Sequence, residues 1–185
     1  MILRLCSLAA VFGLLAACSA SIKAPPELRN LAKSDTAFFV EAVRTELDQS
    51  LQLLLVKLYR RNPVQLPSKA SIESRIDQLE AERVNVEEFG MSEQEQLVRL
   101  AFADKFKGDR VFAFVSGLQS MVNEAFDYRR EYFLLDSLPR AQFVYNSARN
   151  IETAAYLLRT QRDSDGQPFL HADGVQDGIL NASYS

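Results

Sequence analysis

The chain has 185 residues, 48% of them apolar and 10% aromatic, with 21 basic and 24 acidic side chains and a formal net charge of −3. A chain this acidic lacks the basic excess that nucleic-acid or anionic-membrane binding uses, so neither is expected as a target. Two cysteines and one histidine, His171, leave almost nothing from which to build a Cys/His zinc set or a Ser-His or Cys-His dyad. No metal, cofactor or catalytic group is expected, and the protein reads as a non-enzyme.

The first element is apolar. Arg4 precedes a run from Leu5 to Ala17 broken only by Ser7 and Gly13, the charged and apolar layout of a secretory signal. A membrane span needs about 20 apolar residues; this run is shorter and breaks into Ser19-Ala20-Ser21-Ile22-Lys23.

Its last four residues, Leu15-Ala16-Ala17-Cys18, resemble the lipobox of bacterial lipoproteins. Small Ala16 and Ala17 admit a peptidase to the bond before Cys18. The resemblance implies that residues 1–17 are a cleaved signal peptide, that the Cys18 thiol takes a diacylglyceryl group as a thioether, and that the new amino terminus is acylated, commonly by palmitate. Ordinary secretory cleavage near Ala20 is the alternative. Two or three acyl chains hold a protein on a membrane essentially permanently. Ser19, in place of an aspartate that signals inner-membrane retention, implies the periplasmic face of the outer membrane.

Cleavage also removes Cys6 and leaves Cys18 committed to lipid, so no intramolecular disulfide is expected. It deletes one basic and no acidic side chain, making the rest slightly more acidic. What remains is ample for one domain. Residues 18–34 hold small residues and Pro25-Pro26, the composition of a tether. At about 3.3 Å per residue that tether reaches roughly 55 Å when extended.

Residues 35–162 read as a helical domain. Val40, Val43, Leu47, Leu51, Leu54 and Leu58 recur at three or four residues, giving a long amphipathic helix started by Asp35 and stopped at Asn62-Pro63. Ser68 or Ser71 caps a second helix with Ile72, Ile76 and Leu79 inward. Ser92 and Glu95 form a capping box before a third, with Gly108 as a left-handed terminator.

Asp109 starts a fourth helix whose stripe is Val111, Val115, Leu118, Val122 and Ala125, flanked by Phe114 and Met121. A fifth follows Pro139, with a stripe of Ala141, Val144, Ala148, Ile151, Ala155 and Leu158. No alternating β-branched run bounded by turns appears. The fold class is all-α, an antiparallel bundle of about five helices. Residues 163–185 carry scattered glycines and acids, and read as a flexible tail.

Two regions hold candidate sites. Ten of the aromatic residues lie from Phe102 to Tyr145, and Tyr128, Arg129, Tyr132 and Phe133 combine residue types that anchor protein interfaces. Gly117, between Phe114 and Met121 in an otherwise apolar helix, costs about 1 kcal/mol against alanine. It therefore marks either close helix packing or room for a ligand. Asp163-Ser164-Asp165-Gly166 resembles a calcium loop only at its start, because its glycine comes two positions early; it reads as a turn.

The expected function is that of a lipid-anchored accessory, assembly or scaffolding subunit of an envelope complex, attached to the membrane through Cys18 and to an envelope protein through the Tyr128 region. The alternative is a carrier holding a lipid or other apolar ligand beside Phe114, Gly117 and Met121.

Overall fold

In the computed structural model, which describes residues 33–81, 96–172, 175–176 and 179–180, five α-helices make up most of the described residues. Helix α1 (Asp35–Arg61, 27 residues) begins one residue earlier than the acid suggests: Ser34 Oγ accepts from the Ala37 backbone N–H at 3.1 Å. Asp35 then lies in the first turn, where its charge suits the helix dipole. At the other end the Asn62 N–H reaches back to Leu58, and Pro63 opens a short 3-10 turn, Pro63–Gln65.

Helix α2 (Ile72–Glu80) has a reciprocal cap between Ser71 and Ser74. Helix α3 (Leu97–Ala101) is a five-residue segment. Its capping box at Ser92 and Glu95 falls outside the described residues. Gly108 does not end it in a left-handed conformation. Instead the Arg110 guanidinium collects the carbonyls of Ala101, Ala103 and Phe106 at 2.7–3.0 Å, satisfying acceptors that a helix end leaves open.

Helix α4 (Arg110–Ala125) is the centre of the bundle. Asp109 caps it through Phe112 N–H at 2.9 Å. Every residue from Val111 to Ser120 is buried, because α1, α3 and α5 pack around it and leave no solvent face. Helix α5 (Ala141–Thr160) covers one flank and buries only Ser147 and Ala154. Leu55, Leu58, Leu79, Leu97, Phe112 and Val115 form the middle of the core; each such side chain contributes roughly 1.5–3 kcal/mol through burial.

Helices α1 and α4 run antiparallel, and polar contacts along their seam record it: Tyr59 meets Asp109, Asp48 meets Gln119, and Arg44 meets Asn123. Ser147 Oγ donates to Met121 O at 2.7 Å, setting α5 antiparallel to α4 as well. One end of the bundle therefore holds the start of α1, the end of α4, the 126–140 loop and the start of α5. The other holds the 62–71 link and the start of α4.

One stripe read from the sequence is widened and one is rotated. In α1 Leu51 and Leu58 are buried and Val40, Leu47 and Leu54 pack against the core, while Ala37, Arg44, Asp48, Leu55 and Tyr59 extend the inward face and Val43 is exposed. In α5 Val144, Ala148 and Ala155 face outward, and Ser147 and Ala154 face α4. A buried arginine, aspartate or serine is invisible to a hydrophobic stripe when its hydrogen bonds are made elsewhere in the fold.

Residues 163–172, expected as part of a flexible tail, pack onto the far end. Leu170 is in the core, and Asn62 both accepts from His171 N–H at 2.8 Å and donates to its carbonyl at 3.0 Å. The His171 side chain is exposed. Asp163 accepts from the backbone of Asp165 and Gln167, with Gly166 at φ 78, so this segment is a turn. Val175–Gln176 and Ile179–Leu180 form a two-residue antiparallel ladder. No helix among the described residues is long and apolar enough to cross a membrane.

Tyr59 is sealed at the α1–α4 seam, donating to Asp109 Oδ2 at 2.6 Å, while Arg75 pairs with the same oxygen at 3.3 Å and stacks on Phe112. Burial, reinforced by the Asp109 carboxylate, pushes the Tyr59 phenol above its ordinary 10.0. Burial raises Tyr132 too. The unfolded chain therefore ionises these tyrosines first. Their contribution to stability is complete below pH 10 and is lost as pH rises beyond it, by at most about 1.4 kcal/mol per pH unit for each. Urea unfolding measured from pH 8 to 11 should show this decline. Tyr59→Phe should flatten it while costing roughly 1 kcal/mol at neutral pH; an unchanged alkaline slope excludes Tyr59 as a source.

Candidate functional site: a groove beside α5 and a braced loop

Ser147 and Ala154 bring α5 against α4, but the helix does not close against α3. Between them runs an open groove of about 1110 Å³. Val98, Phe102, Met121, Ala154 and Leu157 line its floor, and Arg99, Asn146, Asn150 and Thr153 supply polar groups. Along α5 the lining continues from Phe143 to Gln161. At 1.5 Å per residue that is about 27 Å. The groove is long, open and mixed in polarity, which suits an extended or helical protein segment better than an enclosed acyl chain.

The ligand residues read from the sequence divide. Phe114 is buried and stacks edge-on against Phe102 with ring centroids 5.6 Å apart. Gly117 faces α3: a Cβ there would lie 2.6 Å from Val98 Cγ2 and 2.9 Å from the Val98 backbone N. The close approach that glycine permits is taken up by another helix. Met121 alone of the three borders the groove.

The interface residues divide too. Tyr128 is 61% exposed, and Arg129 pairs with Asp136 at 3.2 Å near the surface. Phe133 is half-buried. Tyr132 does not belong to a surface: it is fully buried, its hydroxyl donates to Phe126 O at 2.7 Å, and its backbone N–H donates to Glu41 Oε1 at 2.7 Å. Aromatic composition alone cannot separate an anchor into a partner from an anchor into the protein's own core.

Behind the loop is a buried polar cluster that hydrophobic periodicity missed. Arg44 Nε contacts both Asp48 carboxylate oxygens at 3.2 Å, and its Nη2 donates to Asn123 Oδ1. Gln119 Nε2 donates to Asp48 Oδ1 at 2.9 Å and to Asn123 Oδ1 at 3.0 Å. Arg130, from the loop, reaches Asp48 Oδ2 at 3.0 Å. The i to i+4 spacing of Arg44 and Asp48 was the one sequence signal for it. Among the described residues no group of three or more His, Cys, Asp or Glu side chains is arranged to hold a metal ion.

Comparison of the chain with protein-family models, curated proteins and solved structures finds no match.

Two substitutions test this architecture by thermal or urea unfolding. Asp48→Ala leaves Arg44 buried without its carboxylate and should cost about 3–5 kcal/mol; a loss below 1 kcal/mol excludes the cluster as a structural centre. Gly117→Ala should destabilise despite gaining about 1 kcal/mol of helix propensity, because overpacking typically costs about 1–3 kcal/mol and the Val98 backbone cannot rotate away. A stabilised variant shows that α3 has room to shift.

Proposed function

We propose that this protein is a lipid-anchored periplasmic adaptor. Acyl chains on Cys18 hold it on the outer membrane, and the groove beside α5 receives a segment of an envelope protein. The observation that carries the reading is that groove, open along α5 with an apolar floor and amide, hydroxyl and guanidinium groups beside it. Such a lining can hydrogen-bond a peptide while burying its apolar side chains. The mechanism is tethering. Confinement to a membrane raises the effective concentration of the domain near partners in the same membrane, which can strengthen a weak contact by 10²-fold or more.

In-cell photocrosslinking with mass spectrometry tests this. A photoreactive residue replacing Asn150 or Thr153 should capture one and the same envelope protein, and one replacing Val64 at the opposite end should not. Cys18→Ala should lower the capture at least tenfold. A co-extracted lipid with no captured protein at either groove position transfers the reading to an apolar-ligand carrier.

A further inference from the structure

The loop between α4 and α5 contains an anomaly of turn chemistry. Asp136 N–H donates to Phe133 O at 2.9 Å, so residues 133–136 form a tight turn whose two central positions are Leu134 and Leu135. Turn centres favour glycine, proline, asparagine and aspartate because those residues suit the backbone and water. Here they are leucines, 67% and 97% exposed.

The turn is braced. Asp136 Oδ2 accepts from Phe133 N–H at 2.9 Å, and Asp136 Oδ1 pairs with Arg129. Tyr132 fixes one shoulder to the core and to Glu41 of α1. At the base, Asp127 and Tyr128 hold left-handed conformations at φ 50 and 57, supported by Tyr128 N–H donating to Asn123 O at 2.7 Å. Two leucines are thus held out to solvent by a structure that could have placed polar residues there.

Their position suits a bilayer as the occupant. The turn projects from the end of the bundle that contains the start of α1, and through Ser34 the chain leads back to Cys18. Phe39, 68% exposed, stands in the second turn of α1 at the same end, and in the loop Arg129, Arg130 and Arg140 are balanced by Asp127, Glu131 and Asp136. A pair of leucines is far too small for a protein interface, which buries roughly 800 Å² per partner. It is enough to orient a domain already confined to a bilayer.

We infer that Leu134 and Leu135 form a membrane-inserting tip that docks this end of the bundle on the bilayer carrying the lipid anchor. This rests on the anchor reading above. It points the groove beside α5 sideways along the membrane, toward partners held in the same plane.

The chain contains no tryptophan, so Leu135→Trp supplies a single reporter at a site with no packing to disturb. The full-length protein is purified from membranes and reconstituted into phosphatidylethanolamine and phosphatidylglycerol vesicles, with and without brominated acyl chains. Cys18 is checked by mass spectrometry, and Val64→Trp, at a 93% exposed position on the opposite end, is the control. The expected result is blue-shifted emission strongly quenched by brominated lipid for Leu135→Trp, and water-like, unquenched emission for Val64→Trp. Water-like emission from both, on vesicle-bound protein carrying lipid at Cys18, overturns the tip and leaves the anchor standing. Shielding of Leu135→Trp only when envelope proteins are present overturns it in favour of a protein contact. If Cys18 carries no lipid, the anchor reading fails; the same variant titrated with these vesicles then judges the tip alone, and absence of a blue shift overturns it.

Discussion

The structure depends on one buried charge pair. Arg44 and Asp48 lie one turn apart on α1, both turned inward, and neither could remain there alone: an isolated charge in a packed interior costs several kcal/mol. Asn123 and Gln119 from α4 and Arg130 from the following loop complete their hydrogen bonds. Satisfying these groups fixes how α1 and α4 slide against each other, since a shift of one turn would break the Arg44–Asn123 and Asp48–Gln119 contacts together. It also ties down the loop, because Arg130 lies within the same run as Tyr128, Tyr132 and the leucine turn.

The other contacts follow from that register. Tyr59 meets Asp109 at the far end of the same seam, and Gly117 lies where α3 must cross α4 closely. The remaining flank of α4 is left to α5, which settles on two small residues, Ser147 and Ala154. Small residues permit approach without filling volume, so a long groove stays open beside them. The bundle thus has a well-filled centre, one thinly packed side, and two ends of unlike character.

That asymmetry gives the proposed adaptor its geometry. The end that leads to Cys18 carries two exposed leucines on a braced turn, the far end is closed by Leu170 and the Asn62–His171 contacts, and the groove lies between them. A tether of flexible composition fixes distance but not orientation. In the proposed docking, a second, rigid contact at the membrane would supply the orientation that a lipid alone lacks.

How much of this was legible in the sequence differs by element. Helix α1 and the cap of α4 were plain, because a 3.6-residue period and an aspartate before an apolar run are local signals. The inward face of α1 was read too narrowly and that of α5 was misplaced, because Arg44, Asp48 and Ser147 are buried by bonds to distant residues. Tyr132 and Tyr128 have the same chemistry four positions apart, and only the fold sends one into the core and the other into solvent. Leu170 was lost among acids and glycines, since a single anchoring leucine has no period.

The sequence by itself determined that the chain is helical, both ends of α1 and the start of α4, and that an apolar run closing on Leu15-Ala16-Ala17-Cys18 precedes the domain. These properties follow from nearest-neighbour chemistry. Only the tertiary structure decided which polar groups could be buried, that Gly117 serves a helix crossing, that α5 leaves a groove, and that Leu134 and Leu135 stand at the tip of a turn. Each of those depends on residues far apart in the chain meeting at one place, which no local pattern records.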